Sequence, residues 1–218
     1  MNGWAAIFDW DGVIVDTSRQ HEQAWHLIAA EQGRVVPNNF FKRSFGMRNE
    51  SVIPDLLRWT NDPAEIQKIS LVKEAKFREL ASRDGSLVLP GVREWLNQLR
   101  AAKIPCALGS SAPAENIRFI IEGLGLAEHF SARVCGEDVE RGKPNPEVFL
   151  KAAQRLGFEP NRCVVFEDAH VGIEAALAAG MKVVGVTTTH PADSLIGAHR
   201  MVNRLDELSL DELDGWFK

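Results

Sequence analysis

The sequence predicts an α/β protein with a Rossmann-like parallel sheet covered by helices on both faces, plus a small all-helical segment inserted after the first strand. Three observations lead there. From about residue 89 onward, short apolar runs of β-prone residues alternate with segments of helical period. The stretch from 17 to 88 shows helical period and no convincing strand. Polar clusters rich in Asp, Glu and Ser follow directly after the predicted strands.

Trp4-Ala5-Ala6-Ile7-Phe8 is continuously apolar, as a strand buried on both faces must be, and it ends at Asp9-Trp10-Asp11-Gly12. Trp25, Ile28, Ala29 and Gln32 then recur at helical spacing, with Gly33 placed as a C-cap. Ile53, Leu56 and Leu57 continue the period, followed by Ile66, Ile69, Leu71, Ala75 and Leu80 up to about Arg83. After the turn Asp84-Gly85-Ser86, Pro90-Gly91 opens a helix through Leu99, and a strand follows at 104–108, ending at Gly109-Ser110-Ser111. A helix with Pro113 near its first turn carries Ile117, Ile120, Ile121 and Leu124 on one face. A helix around 146–156 precedes the strand Cys163-Val164-Val165-Phe166, and a helix from Gly172 to Ala179, capped by Gly180, leads to the strand 182–186. The tail from about 198 is expected to add an edge strand and a last helix. The organisation this implies is a core of 1–16 and 89–218, with 17–88 as a helical cap domain.

Bulk properties exclude several classes. The 218 residues are 45% hydrophobic and 25% charged, an ordinary globular composition. A net charge of −5 without a long basic run argues against a nucleic-acid partner. No apolar run is long enough for a membrane span, and the stretch from Met1 to Ala6 has no basic region of the leader type. Cys106, Cys135 and Cys163 have no metal-type spacing and are expected to be buried free thiols in a reducing cytoplasm. The six tryptophans are expected in the core, and a monomer is expected.

Chemistry concentrates at four places. Asp9 and Asp11, one residue apart, point the same way by strand alternation and should raise one another's pKa, while Trp10 points into the core. With a divalent cation such a pair can supply a nucleophile and a proton shuttle, and Gly12 lets backbone amides turn toward an anion. Ser110 sits at a strand end just before a helix, where a hydroxyl and helix amides can cradle a phosphate oxygen. Two prolines in Lys143-Pro144-Asn145-Pro146 fix a loop that presents Lys143 as a point charge. Glu167-Asp168 ends an apolar strand with paired acids, an oxygen set that suits Mg²⁺. Taken singly, each has an ordinary reading: a solvated turn, an N-cap serine, a solvated lysine, a helix N-cap acid. His170 reads as a packing or capping residue. Ligands of open α/β sheets gather beyond the carboxyl ends of the strands, so the clusters should converge.

In that order, Asp9-x-Asp11-Gly12-Val13, Ser110, Lys143-Pro144-x-Pro146 and Glu167-Asp168 resemble the four motifs of the haloacid dehalogenase superfamily. The helical insert and the run Phe166-Glu167-Asp168-Ala169-x-x-Gly172-Ile173 resemble its β-phosphoglucomutase-like subfamily. The resemblance spans essentially the whole chain. It implies that Asp9 attacks phosphorus to form an aspartyl phosphate and that Asp11 protonates the leaving oxygen and then deprotonates the acceptor. It further implies that Ser110 and Lys143 hold the transferring oxygens. Mg²⁺ would be held by the Asp9 side chain, the Asp11 carbonyl and Asp168, with Glu167 in or next to the shell. Thr17, His21, Arg48 and Lys73 match positions that face the site from the cap, and His21 matches a histidine coupling lid closure to proton transfer.

A mutase must also hold a second phosphate, partly through polar and basic residues just after the motif serine. Here that loop reads Ser111-Ala112-Pro113-Ala114-Glu115-Asn116, and Glu115 would oppose a second anion. The expected function is therefore a Mg²⁺-dependent phosphatase acting on a small phosphorylated metabolite, a sugar phosphate first. The runner-up is a β-phosphoglucomutase-type mutase. A non-catalytic metabolite-binding protein is disfavoured by the intact Asp9, Asp11, Ser110, Lys143 and Asp168.

Overall fold

The computed structural model describes residues 3–85 and 87–218, the Lys42 side chain excepted. Met1 and Asn2, ahead of the first strand, and Ser86 of the expected turn lie outside the described residues. The chain begins β1 (Ala5–Phe8), β2 (Val15–Asp16), α1 (Ser18–Glu31), α2 (Phe40–Ser44), α3 (Asn49–Ser51), a π-helical turn (Val52–Leu57) and α4 (Pro63–Asp84). It continues β3 (Leu87–Val88), α5 (Val92–Ala101), β4 (Cys106–Gly109), α6 (Ala114–Leu124), β5 (Ala132–Val134) and α7 (Glu147–Leu156). It closes with β6 (Cys163–Glu167), α8 (His170–Ala178), β7 (Lys182–Val186), β8 (Arg200–Val202) and α9 (Leu210–Gly215).

Six strands form a parallel sheet in the order β5-β4-β1-β6-β7-β8. The first strand is therefore central, with β4 on one side and β6 on the other. Phe8 pairs with Leu108 and with Phe166, so the residues that follow β1, β4 and β6 emerge side by side at one sheet edge. Alternation divides the core into two layers. Ala6, Phe8, Trp10, Leu108, Val164 and Phe166 pack on the α5, α6 and α9 side. Ala5, Ile7, Ala107, Val134, Val165 and Val183 pack on the α7 and α8 side. Trp10 is fully buried among the former, as the alternation predicts; Trp4, Trp25 and Trp95 are buried too, and Trp59 and Trp216 are half-buried.

The helices between α1 and α4 have a small core of their own, built on Trp25, Ile28, Phe40, Val52, Ile53 and Ile69. Three features differ from expectation. A short antiparallel ribbon of β2 and β3 brackets this helical segment, too short for periodicity to reveal. The buried face of α4 carries Ile66, Ile69, Ser70, Lys73, Glu74 and Phe77, whereas Leu71 and Ala75 are exposed. The expected stripe was displaced because two charged residues occupy the inner face, paired with each other. Strand β5 also went unread, being three residues long. No helix among the described residues is long and apolar enough to cross a membrane.

The sheet centre has a direct stability test. Phe166 stacks on Phe8 at a centroid distance of 4.4 Å and meets the Trp95 ring edge-on at 6.3 Å. Phe166→Ala should lower the unfolding free energy by about 3–5 kcal/mol, read as a reduced urea midpoint. A loss below about 1 kcal/mol would mean that this layer is not a close-packed core.

Candidate active site

The edge of β1 places Asp9 against two buried charges. Lys143 Nζ lies 2.8 Å from Asp9 Oδ1 and 2.6 Å from Glu167 Oε1, and all three side chains are essentially excluded from solvent. Lys143 comes from the loop ahead of α7, whose Lys143–Pro144 peptide is cis. Burial alone would pull the lysine's pKa down, but Asp9 and Glu167 outweigh it and hold the ammonium above its ordinary value. Asp9 is pushed up to about 7, first by burial, then by Glu167 and Asp11, against the opposing pull of Lys143. Glu167 has both oxygens engaged, since Oε2 accepts from the backbone N–H groups of Asp168 and Ala169 at 2.7 Å each.

Asp168 completes an acidic cluster. Carboxylate oxygens of Asp9, Glu167 and Asp168 lie within 4.8 Å of one another. Asp168 is raised well above the usual carboxylate range, by burial first and then by Glu167 and Asp9. Its Oδ2 accepts from Thr189 Oγ1, and its Oδ1 is buried with no hydrogen-bond partner among the described residues. An unpartnered buried carboxylate oxygen is costly. Hard oxygen donors gathered around such an atom fit a divalent cation of the Mg²⁺ type, which would remove the penalty. Gly12, at φ +84°, is required here for a second reason besides its turn: a Cβ would overlap Asp168 Oδ2.

Asp11 departs from expectation. Its pKa is lowered rather than raised: burial pushes it up, but the neighbouring His21 ring and the Thr17 hydroxyl prevail. Thr17 Oγ1 donates to Asp11 Oδ1, and His21 Nε2 stands 3.5 Å from the same oxygen. The His21 ring stacks on Phe77, with centroids 3.9 Å apart, and its Nδ1 is 2.6 Å from Lys73 Nζ. Lys73 in turn pairs with Glu74 at 2.8 Å. Glu74 Oε2 accepts from Asn116 at 2.6 Å, and Arg78 bonds Asn116 at 2.9 Å, tying α4 to the start of α6.

Ser110 is buried, and its hydroxyl accepts from the Ala112 N–H at 3.1 Å. Ser111 donates to the Gly46 carbonyl at 2.8 Å, joining the strand-end loop to the helical segment. Arg48 packs on Gly142 and donates to the Val139 carbonyl at 3.1 Å, so it bridges the two parts of the chain instead of projecting freely. Asp9, Asp11, His21, Arg48, Lys73, Ser110 and Ser111 line one cavity of about 320 Å³. His170 is exposed and packs edge-on against His190, 4.6 Å between centroids. The three cysteines are buried free thiols pushed up by burial, Cys106 and Cys163 to about 12 and Cys135 to about 11, and are inert.

Sequence reasoning passed over Glu74, Asn116, Arg78, Thr189 and His190. Thr187-Thr188-Thr189-His190 is a polar cluster directly after β7, so the strand-end rule applied to the other clusters would have found it. Thr188 Oγ1 donates to the Gly12 carbonyl, and His190 Nδ1 lies 3.0 Å from the Asp168 carbonyl. Glu74 carried a weaker signal, the placement of Lys73 on the same helical stripe as Ile69 and Phe77.

Two outcomes follow from this geometry. Glu74 is pushed up by burial but brought down to about 2, chiefly by Lys73. Its depressed folded pKa contributes stability that is complete above the ordinary glutamate range and disappears as pH falls toward 2. Glu74→Gln should cost about 3 kcal/mol at pH 7, with the difference from wild type shrinking as pH drops below about 4.5. A difference independent of pH would contradict an ionised, buried Glu74. Gly172→Ala places a Cβ on Glu167 Oε1 and should displace Lys143. The expected result is a lowered melting temperature, and unchanged stability would contradict the close approach.

With this geometry in place, comparison with known proteins is informative. Residues 5–180 match the haloacid dehalogenase-like hydrolase family. The chain is 41% identical, over 97% of its length, to the chloroplastic 5-amino-6-(5-phospho-D-ribitylamino)uracil phosphatase of Arabidopsis thaliana, of which it spans 57%. It is 34% identical to the β-phosphoglucomutase of Bacillus subtilis, covering 96% of this chain and 93% of that one. The crystal structure of β-phosphoglucomutase from Clostridium difficile superposes with a TM-score of 0.86 at 26% identity, covering 99% of this chain and 97% of that one. The fold and the subfamily resemblance read from the motifs are borne out, and the chain belongs to the haloacid dehalogenase-like hydrolase family.

Proposed function

We propose that the protein is a Mg²⁺-dependent phosphatase that hydrolyses the monoester of a small phosphorylated metabolite, a sugar or polyol phosphate, through an aspartyl phosphate on Asp9. In this reading residues 17–88 act as a cap over a core of 1–16 and 89–218. The Asp9 carboxylate oxygen attacks phosphorus in line and the bond from phosphorus to the ester oxygen breaks. The phosphoryl anion bound beside Asp11 raises its proton affinity, so that Asp11 is protonated in the complex and gives that proton to the departing alkoxide. Asp11 then takes a proton from water as the water oxygen attacks phosphorus, and cleavage of the acyl phosphate returns Asp9 and inorganic phosphate. Lys143 neutralises the phosphoryl oxygens beside Asp9, and the Ser110 hydroxyl donates to one of them. Thr17 and His21 keep Asp11 oriented. Asp9, Asp168 and the Asp11 carbonyl would hold Mg²⁺, which supplies charge neutralisation to the phosphoryl group; Glu167 acts beside them by fixing Lys143.

The observation that carries hydrolysis over mutase turnover is the pairing of the cavity's cations. Arg48 lies 3.3 Å from Glu50, Lys73 lies 2.8 Å from Glu74, and Arg78 lies 3.2 Å from Glu115. Among the described residues, a sugar bisphosphate would find each of these cavity cations already paired with an acid. The 41% identity to a phosphatase supports the same choice. All of these side chains come from one chain, which supports a monomer as the working unit. The buried free thiols and the metabolite chemistry support a cytoplasmic enzyme.

Incubation with Mg²⁺ and a panel of sugar and polyol monophosphates should release inorganic phosphate without a bisphosphate primer. Primer-dependent conversion of a hexose 1-phosphate to the 6-phosphate, with little phosphate release, would establish the mutase instead. Asp9→Asn should reduce turnover by about 10³-fold or more, and chelation should abolish it until Mg²⁺ is restored. Turnover unaffected by either change would remove the proposed nucleophile and metal.

A further inference from the structure

One stretch of the cavity is not explained by phosphoryl chemistry. Leu71 is 65% exposed, yet its exposed side chain lines the cavity rather than the outer surface alone. Gln67, one helical turn earlier on α4, lines it as well, and so does Ser70, whose hydroxyl is buried with no partner among the described residues. Phe41 and Met47 contribute further apolar wall. Lys73 marks the level of Asp11 through His21, and Gln67 lies six residues before it, about 9 Å along the helix axis at 1.5 Å per residue. This rim therefore lies along α4 away from the level of Asp11, on the cavity wall that the far end of a leaving alcohol would meet.

We infer that Gln67 and Leu71 form a specificity subsite for the leaving alcohol, one that takes an uncharged end group with an apolar or aromatic face and amide-type hydrogen-bonding edges. The inference rests on the phosphatase reading and deepens it. Leu71 offers apolar surface, the Gln67 carboxamide offers one donor and one acceptor set, and neither tolerates an added charge well. A second anion would also face the carboxylates of Glu50, Glu74, Glu115 and Glu137, which line the same cavity.

A matched trio of substrates tests this: ribose 5-phosphate, the same sugar phosphate carrying a neutral base (uridine 5′-monophosphate), and ribose 1,5-bisphosphate. Phosphate release with Mg²⁺ should give a kcat/KM for the nucleotide about tenfold or more above that for ribose 5-phosphate, with the bisphosphate lowest. Leu71→Asp should lower the nucleotide's kcat/KM about tenfold more than that of ribose 5-phosphate, mainly through KM, at an unchanged melting temperature. Leu71→Phe should retain the preference. Equal efficiency toward the nucleotide and the bare sugar phosphate, or a preference ratio untouched by Leu71→Asp, overturns the subsite while leaving the phosphatase intact. A preference for the bisphosphate overturns it as well. Absence of phosphate release from these esters and from the wider monophosphate panel overturns the hydrolytic reading, and the subsite with it.

Discussion

The buried contact of Lys143 with Asp9 and Glu167 is the constraint around which the site is arranged. One cation between two carboxylates still leaves a net negative charge out of solvent, and Asp168 adds another. Such a group is stable only if each charge is satisfied by geometry. Glu167 meets this requirement with Lys143 on one oxygen and two backbone amides on the other. Those contacts need the chain at Gly172 to come close, and only a residue without Cβ allows it. Asp9 remains raised by burial and Glu167, and Asp168 by burial, Glu167 and Asp9, so the site would gain from a divalent cation and from a charged phosphoryl group balanced by it.

A second electrostatic network lies on the helical segment and is organised differently. Its cations Arg48, Lys73 and Arg78 are each matched to an acid, and the network reaches across to the strand-end loops. Glu74 binds Asn116, Arg78 binds Asn116 and Glu115, and Arg48 bonds the carbonyl of Val139. These contacts orient His21 over Asp11 and at the same time use up the positive charge that a second phosphate would need. The same residues therefore join the helical segment to the strand-end loops and set the charge of the cavity wall. The remaining residues of α4 that line the cavity, Gln67, Ser70 and Leu71, are neutral.

The sheet and the positions of its polar ends were legible because both rest on simple regularities. Apolar runs of four or five residues mark strands buried on two faces, and their polar successors must emerge at one edge. Asp9, Ser110 and Glu167-Asp168 were found that way, and Thr189 and His190 escaped only because the rule was not carried to the strand before them. Strands β2, β3 and β5 were too short for any period. The inner face of α4 was misread because periodicity assumes that apolar residues are buried, whereas Lys73 and Glu74 pair and so turn inward, leaving Leu71 to the cavity. The opposite pKa shifts of Asp9 and Asp11 were also beyond spacing. Asp9 is raised first by burial and then by Glu167, and Asp11 is lowered by His21 and Thr17, none of which spacing between the two aspartates can show.

The central claim is that phosphorus passes through Asp9 on its way to water. The stereochemical course at phosphorus tests it most directly, using an isotopically chiral thiophosphate monoester hydrolysed in labelled water. Two successive in-line displacements, first by Asp9 and then by water, predict net retention of configuration. Net inversion would show direct attack by water and would contradict the account.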